Sequence, residues 1–395
     1  MSPHTSAKYF LTFALATPLL PACGEGGGAA GTTGPDAAGV DAAPGQPDTA
    51  VAIPDAAPDA AVAIPDAAPD AAPLPDAATL VPDASAAPDA APIPDAAPPP
   101  VFPLDHPVPA SCLGDLSPGE KRVFSEGFAG GTEGAAFGPD GLYVSLPHGN
   151  EIRRIGSDGV ATVFAHVPVP IGLAFLSDGR LAVAAAGDSN DVGVPDGSVH
   201  LIARDGTDSV LATGIDSPNF ITVLSDDSLL VADDFDTRVW HVTLDGQVEA
   251  ALSAVPSPNG MGFTVARDAL FVASTFTVAG ELWRYPVDAN ELPIEAEAQL
   301  FASAGIGQTQ DGLAIDRFDQ IYVARNVPGR IVRYRPDGAG DGTGEPVEVA
   351  AGLRTPASLA FGRGAGFDPC SLYVTELLGT RIWRIAVGAE GQARP

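Results

Sequence analysis

Asp311-Gly-Leu-Ala-Ile315, Ile321-Tyr-Val-Ala324 and Ile331-Val-Arg-Tyr334 are three short apolar runs separated by turn-rich residues, the signature of consecutive antiparallel strands. The first run recurs along the chain as Glu133-Gly-Ala-Ala-Phe137, Ile171-Gly-Leu-Ala-Phe175, Asn219-Phe-Ile-Thr-Val223, Asn259-Gly-Met-Gly-Phe263 and Ala357-Ser-Leu-Ala-Phe361. Leading positions are 38, 48, 40, 52 and 46 residues apart, the length of a four-stranded propeller blade. The second run recurs at Leu142–Ser145, Leu181–Ala184, Leu230–Asp233, Leu270–Ala273 and Leu372–Thr375. The third recurs at Ile152–Ile155, Val199–Ile202, Val239–Val242, Leu282–Tyr285 and Ile382–Ile385. Turns such as Pro139-Asp140-Gly141 and Ser177-Asp178-Gly179 separate the first strand from the second. The pattern predicts an all-β, six-bladed β-propeller.

Fourth strands are expected at Ala161–Phe164, Ser209–Ala212 and Val347–Ala350, but the chain runs out after the third strand of blade six. Lys121-Arg122-Val123-Phe124 lies spare ahead of blade one. An N-terminal strand completing the last blade would remove an exposed edge and close the ring. The propeller is thus expected over residues 112–390.

What precedes it has a different texture. Residues 1–22 read as a lipoprotein-type signal peptide: Lys8 is followed by the apolar run Tyr9–Leu15, too short to span a bilayer, and by Leu20-Pro21-Ala22-Cys23. That ending resembles a bacterial lipobox, which predicts acylation of Cys23, a membrane anchor without a spanning helix and an exported location at the periplasm or cell surface. Residues 23–111 read as a disordered tether. Pro-Asp-Ala-Ala begins at Pro35, Pro54, Pro58, Pro65, Pro69, Pro75, Pro88 and Pro94; proline at this density blocks ladders, and the aspartates repel one another. The formal charge is −30, with 13 acids and no Lys or Arg in residues 24–111 and 37 acids against 19 bases from residue 112 onward. Such a surface repels phosphate backbones and argues against nucleic-acid binding. A monomer is expected.

The repeat also exposes candidate chemistry. At the leading position Ile171 and Ala357 are apolar, while the other four blades carry Glu133, Asn219, Asn259 and Asp311. Equivalent positions in a rotationally symmetric ring converge on the axis, so two carboxylates and two amides are expected to face one point. Hard oxygen donors of this kind suit Ca²⁺ and accept Mg²⁺ or Mn²⁺. Loops between second and third strands should wall the same pocket, with His148 as a candidate general base and Asp233, Asp234, Arg325 and Glu376 as pocket residues. The insertion between Gly187 and Gly197 is expected to act as a lid.

Thr132-Glu133-Gly134, Ser257-Pro258-Asn259-Gly260, Asp311-Gly312-Leu313 and Ser358–Gly362 with Leu372–Thr375 resemble the senescence-marker-protein/gluconolactonase family, which includes regucalcin. Its architecture is similar to that of diisopropylfluorophosphatases and paraoxonases. The resemblance covers about residues 121–387. It implies that Glu133, Asn259 and Asp311 ligate a metal directly and that Asn219 faces metal or substrate. The sugar-lactone hydrolases of the family carry an arginine two residues before that asparagine; Ser217 stands there instead, which argues against a sugar-acid lactone. The expectation is a metal-dependent hydrolase of lactones or related esters, with Asp311 handling water or acting as nucleophile. The alternative is a non-catalytic propeller that binds a ligand or partner around a structural Ca²⁺. Cys112 and Cys370 are expected to form a disulfide, since an exported domain permits it and paraoxonases look similar in stapling their chain ends; two buried free thiols are the alternative.

Overall fold

A computed structural model describes residues 104–187, 193–336 and 346–393, all within one compact unit. The signal, Cys23, the tether up to residue 103 and the centre of the expected lid lie outside the described residues. Strand β1 (Lys121–Glu126) precedes six four-stranded sheets. Blade one is β2 (Ala135–Gly138), β3 (Gly141–Leu146), β4 (Glu151–Ile155) and β5 (Ala161–His166). Blade two is β6 (Pro170–Phe175), β7 (Leu181–Ala185), β8 (Gly197–Ile202) and β9 (Asp208–Ile215). Blade three comprises β10 (Pro218–Val223), β11 (Leu229–Asp233), β12 (Val239–Val242) and β13 (Val248–Leu252). Blade four comprises β14 (Pro258–Phe263), β15 (Ala269–Ser274), β16 (Glu281–Pro286) and β17 (Gln299–Ser303). Blade five runs through β18 (Gln310–Ile315), β19 (Ile321–Arg325), β20 (Arg330–Tyr334) and β21 (Val347–Ala351). Blade six has only β22 (Pro356–Phe361), β23 (Ser371–Glu376) and β24 (Arg381–Ala386) of its own. The sheet order β1-β24-β23-β22 shows the N-terminal strand completing it, antiparallel, with Lys121 opposite Ile385 and Glu126 opposite Arg381.

The core is divided among the seams between blades. Each second strand is buried on both faces, so alternate side chains serve opposite neighbours. Leu142 and Val144 pack against Tyr373 and Ile382 of blade six, whereas Tyr143 between them packs toward Phe175 and Leu181 of blade two. Near the axis the seams are too narrow for a side chain. A Cβ on Gly172 would lie 2.0 Å from the Asn219 carbonyl oxygen, and one on Gly260 would lie 2.4 Å from that of Asp311. Glycine there lets the inner strands touch backbone to backbone.

The domain begins earlier than composition implies. Leu104 packs on the cluster between blades five and six, Asp105 pairs with Arg335 at 2.6 Å, and His106 stacks on Phe318. Packing on the ring therefore already begins ahead of the expected boundary at 111/112: the proline-rich composition continues here, but these side chains find partners on the ring. Cys112 and Cys370 form a disulfide. Beside it Arg384 is nearly buried, donating to both Asp115 and Asp368. At the opposite end of the chain, Gln392 donates its side-chain amide to the Phe263 carbonyl, and Gly391 bridges to Asp316.

Candidate functional site

The leading residues sit in a recurrent irregularity. In β6, β10, β14, β18 and β22 the pairing register breaks just after the first residue, between Pro170/Leu173, Pro218/Ile221, Pro258/Met261, Gln310/Leu313 and Pro356/Leu359. A bulge frees the residues it contains from the ladder and re-aims their side chains. Ile171, Asn219, Asn259, Asp311 and Ala357 all fall inside it. Glu133 stands just ahead of β2, where its N–H is held by the Ser145 carbonyl.

Glu133, Asn219, Asn259 and Asp311 all line the floor of an axial pocket of about 400 Å³. They also border a water-sized cavity of about 10 Å³ on the same axis. Around this ring, Asp234 accepts hydrogen bonds from Ser257 Oγ at 3.0 Å and Asn219 Nδ2 at 3.4 Å. Asn326 Nδ2 donates to Asp311 Oδ2 at 2.7 Å. The Asn259 side chain acts to lower both the Asp234 and Asp311 carboxyls through hydrogen bonding. Glu133 Oε2 and Asn259 Oδ1 are buried with no hydrogen-bond partner among the described residues.

Three carboxylates are thus confined together. Burial drives the Asp311 carboxyl up to about 7 against the hydrogen bonds of Asn326, Gly312 and Asn259. Burial and then the charge of Asp311 raise Asp234 to about 8. Burial, Asp311 and Asp234 together hold Glu133 well above the carboxylate range. Among the described residues no Lys or Arg lines the pocket. The donor chemistry fits a divalent cation: two unpartnered buried oxygens, further carboxylate oxygens and amides, with no cation nearby. Among the described residues no three His, Cys, Asp or Glu side chains form a ready-made metal cluster, so the set depends on the amides to complete it. Glu133, Asn219, Asn259 and Asp311 are the residues that would hold the ion.

Of the expected wall residues, His148 and Asp234 line the pocket. His148 stands in a 3-10 turn, Pro147–Gly149, and burial lowers its imidazole below the usual value. Asp233, Arg325 and Glu376 do not line it. They are the last residues of β11, β19 and β23, where the pleat turns their side chains away from the axis. Asp233 accepts from the Ser217 N–H at 2.8 Å and the Trp240 indole at 3.0 Å. Glu376 accepts from the Arg354 N–H at 2.6 Å. Each therefore ties down the turn that enters its own blade. Arg325 donates to the Tyr334 hydroxyl at 2.8 Å.

The wall is instead made by the next two residues of each blade. The first position after the second strand gives Pro147, Ala186, Asp234, Thr275, Asn326 and Leu377, all lining the pocket. The following position gives His148, Phe235, Phe276, Val327 and Leu378. Asn326 and the aromatic pair are the pocket residues that reading the leading position alone overlooks; the same repeat, read one strand later, points to them.

Fold and site together define a six-bladed propeller with an acid-rich axial pocket. The chain belongs to the SMP-30/gluconolactonase/LRE-like family, whose model matches residues 142–377, more than half of the chain. It is 33% identical over 139 residues to the pentonolactonase XacC of Haloferax volcanii, covering 35% of this chain and 44% of that protein. The chain thus spans less than half the length of this curated relative. Among solved structures, a gluconolactonase from Xanthomonas campestris is similar with a TM-score of 0.58 at 19% identity, over 73% of this chain and 95% of the other. A calcium-binding regucalcin from Agrobacterium tumefaciens is similar with a TM-score of 0.55 at 22% identity, over 70% and 95%.

Proposed function

We propose that the propeller is a divalent-metal-dependent hydrolase of lactones or related esters, with Ca²⁺ as the resident ion, held at a membrane through an acylated Cys23. The observation that carries the catalytic reading is the convergence of Glu133, Asn219, Asn259 and Asp311 on the pocket floor, with Glu133 Oε2 and Asn259 Oδ1 buried and unpartnered. A bound divalent cation supplies a Lewis acid that polarises an ester carbonyl and stabilises charge on its oxygen. Asp311 accepts the proton of the attacking water, and the Asn326 amide holds its carboxylate in place for that role. His148, whose imidazole burial lowers below its ordinary value, is a second proton acceptor on the wall. The calcium-binding regucalcin and the pentonolactonase among the relatives support this reading of metal and substrate class.

Hydrolysis of a panel of lactones and aryl esters, followed by acid release in Ca²⁺ and after chelation, tests it. Turnover should disappear in chelator and return with Ca²⁺, and Asp311→Asn should abolish it in a protein that still folds, because an amide accepts no proton. Undiminished turnover in chelator contradicts the metal role; no turnover of any substrate in Ca²⁺ leaves a ligand-binding propeller. Intact-mass analysis of the mature chain checks the anchor: an unmodified Cys23 would remove it.

A further inference from the structure

Resting on the hydrolase reading above, we infer that the substrate is a neutral lactone or ester bearing an apolar alkyl or aryl substituent, not a polyhydroxylated sugar lactone. The pocket changes character with height. Its floor is polar and closed: Glu133, Asp234, Asn259, Asp311 and Asn326 are all buried. The uppermost ring is apolar and open, with Phe276, Val327 and Leu378 exposed by 38%, 68% and 46%. Phe235 and Phe276, from blades three and four, stack with ring centroids 5.4 Å apart and planes within 8°. Ile171 and Leu377 continue this surface inward.

Exposed apolar side chains scattered singly over a protein need no explanation, but three converging on one pocket mouth, with the half-buried Phe235 stacked on one of them, make a binding surface. A sugar lactone would bring several hydroxyls against it. The hydroxyl-bearing wall residues are Ser217, Thr275 and Thr355, and Thr275 Oγ1 already donates to the Gln310 carbonyl at 2.8 Å. Hydroxyls brought against Phe276, Val327 and Leu378 at the mouth would lose water without regaining partners there, which selects against a substituent bearing them. An alkyl or aryl substituent loses nothing polar and gains burial against Phe235 and Phe276. Charge points the same way: among the described residues no Lys or Arg lines the pocket, so its wall offers no cationic side chain to pair with an anionic substrate and suits a neutral lactone.

The test is a series of γ-lactones of increasing alkyl length, from γ-butyrolactone to γ-decalactone, beside glucono-δ-lactone, with kcat/KM measured in Ca²⁺. The value should rise about fourfold per methylene until the chain leaves the mouth, and the Phe235→Ala/Phe276→Ala double variant should flatten the slope. A flat series in the wild type, or preference for the sugar lactone, overturns the inference while leaving the hydrolase reading intact. Calorimetry with non-hydrolysable alkyl γ-lactams of the same lengths separates the two claims. Affinity rising with chain length upholds the apolar site even if no lactone is turned over; affinity independent of length overturns it.

Discussion

At the closing blade, Arg384 donates to Asp115 at 2.6 and 3.0 Å and to Asp368 at 2.7 Å, with Ser371 Oγ 3.1 Å from its Nε. On the axis, Glu133, Asp234 and Asp311 crowd together and, among the described residues, no Lys or Arg lines the pocket. The two clusters are made of the same residue type in the same ring and behave oppositely. Arg384 holds the Asp115 carboxyl down at about 2. Burial acts to raise Asp368, yet hydrogen bonds from Ser371 and Arg384 keep it below its ordinary value. The axial acids are instead driven up, Asp311 to about 7, Asp234 to about 8 and Glu133 well above the usual carboxylate range. Where buried charge serves only the fold, its counter-charge is built in; on the axis the missing counter-charge is the site's defining property. A domain this size tolerates the cost because disulfide, closing strand and six seams support the ring independently of the axis.

Breaking the closing cluster should produce the largest stability effect. Arg384→Met leaves Asp368, which is 2% exposed, without its cation, and should cost about 3–5 kcal/mol in denaturant unfolding. A loss below about 1 kcal/mol would show that the hydrogen bonds from Ser371, Cys370 and Leu113 suffice alone. Removing the staple ranks next. Cys112→Ala/Cys370→Ala should lower stability by about 2–4 kcal/mol through the loop it closes, and the denatured, unreduced wild-type domain should label no thiol at either position.

The axis should give a response of a different kind, one that depends on pH. Carboxyls whose folded values lie above their unfolded value near 4 bind more protons folded than unfolded, so stability falls as pH rises. In chelator, the thermal midpoint should decline between about pH 4 and pH 8, the window set by Asp311 at about 7 and Asp234 at about 8. Saturating Ca²⁺ should flatten that decline by favouring the ionised forms. A chelated domain as stable at pH 8.5 as at pH 5 would show that the axial acids are already compensated.

The ring was legible because blade length, strand pattern and the spare Lys121–Phe124 segment all follow from local alternation repeated six times. The four leading polar residues were legible because rotational symmetry converts a shared repeat position into a shared place. Asp233, Arg325 and Glu376 misled for a reason of one residue: strand pleating sends the final side chain of the second strand into the turn below, while the next residue, Asp234 or Asn326, reaches the pocket. Alternation fixes which side a strand residue faces, but where each strand ends is set by tertiary hydrogen bonds such as Asp233 with the Ser217 N–H. The packing of Leu104 and Asp105 is not legible for a similar reason, since it rests on partners on blades five and six that composition does not reveal.

The central claim is that the axial oxygens exist to hold a divalent cation, and calorimetric titration of Ca²⁺ into wild-type, Glu133→Gln and Asn219→Ala domains tests it most directly. The wild type should bind one ion. Glu133→Gln removes a charge as well as an orphaned oxygen and should weaken binding by at least about tenfold, more than Asn219→Ala does, since the amide contributes no charge. Equal, negligible heats from all three domains would contradict the account and leave the axis a wet channel.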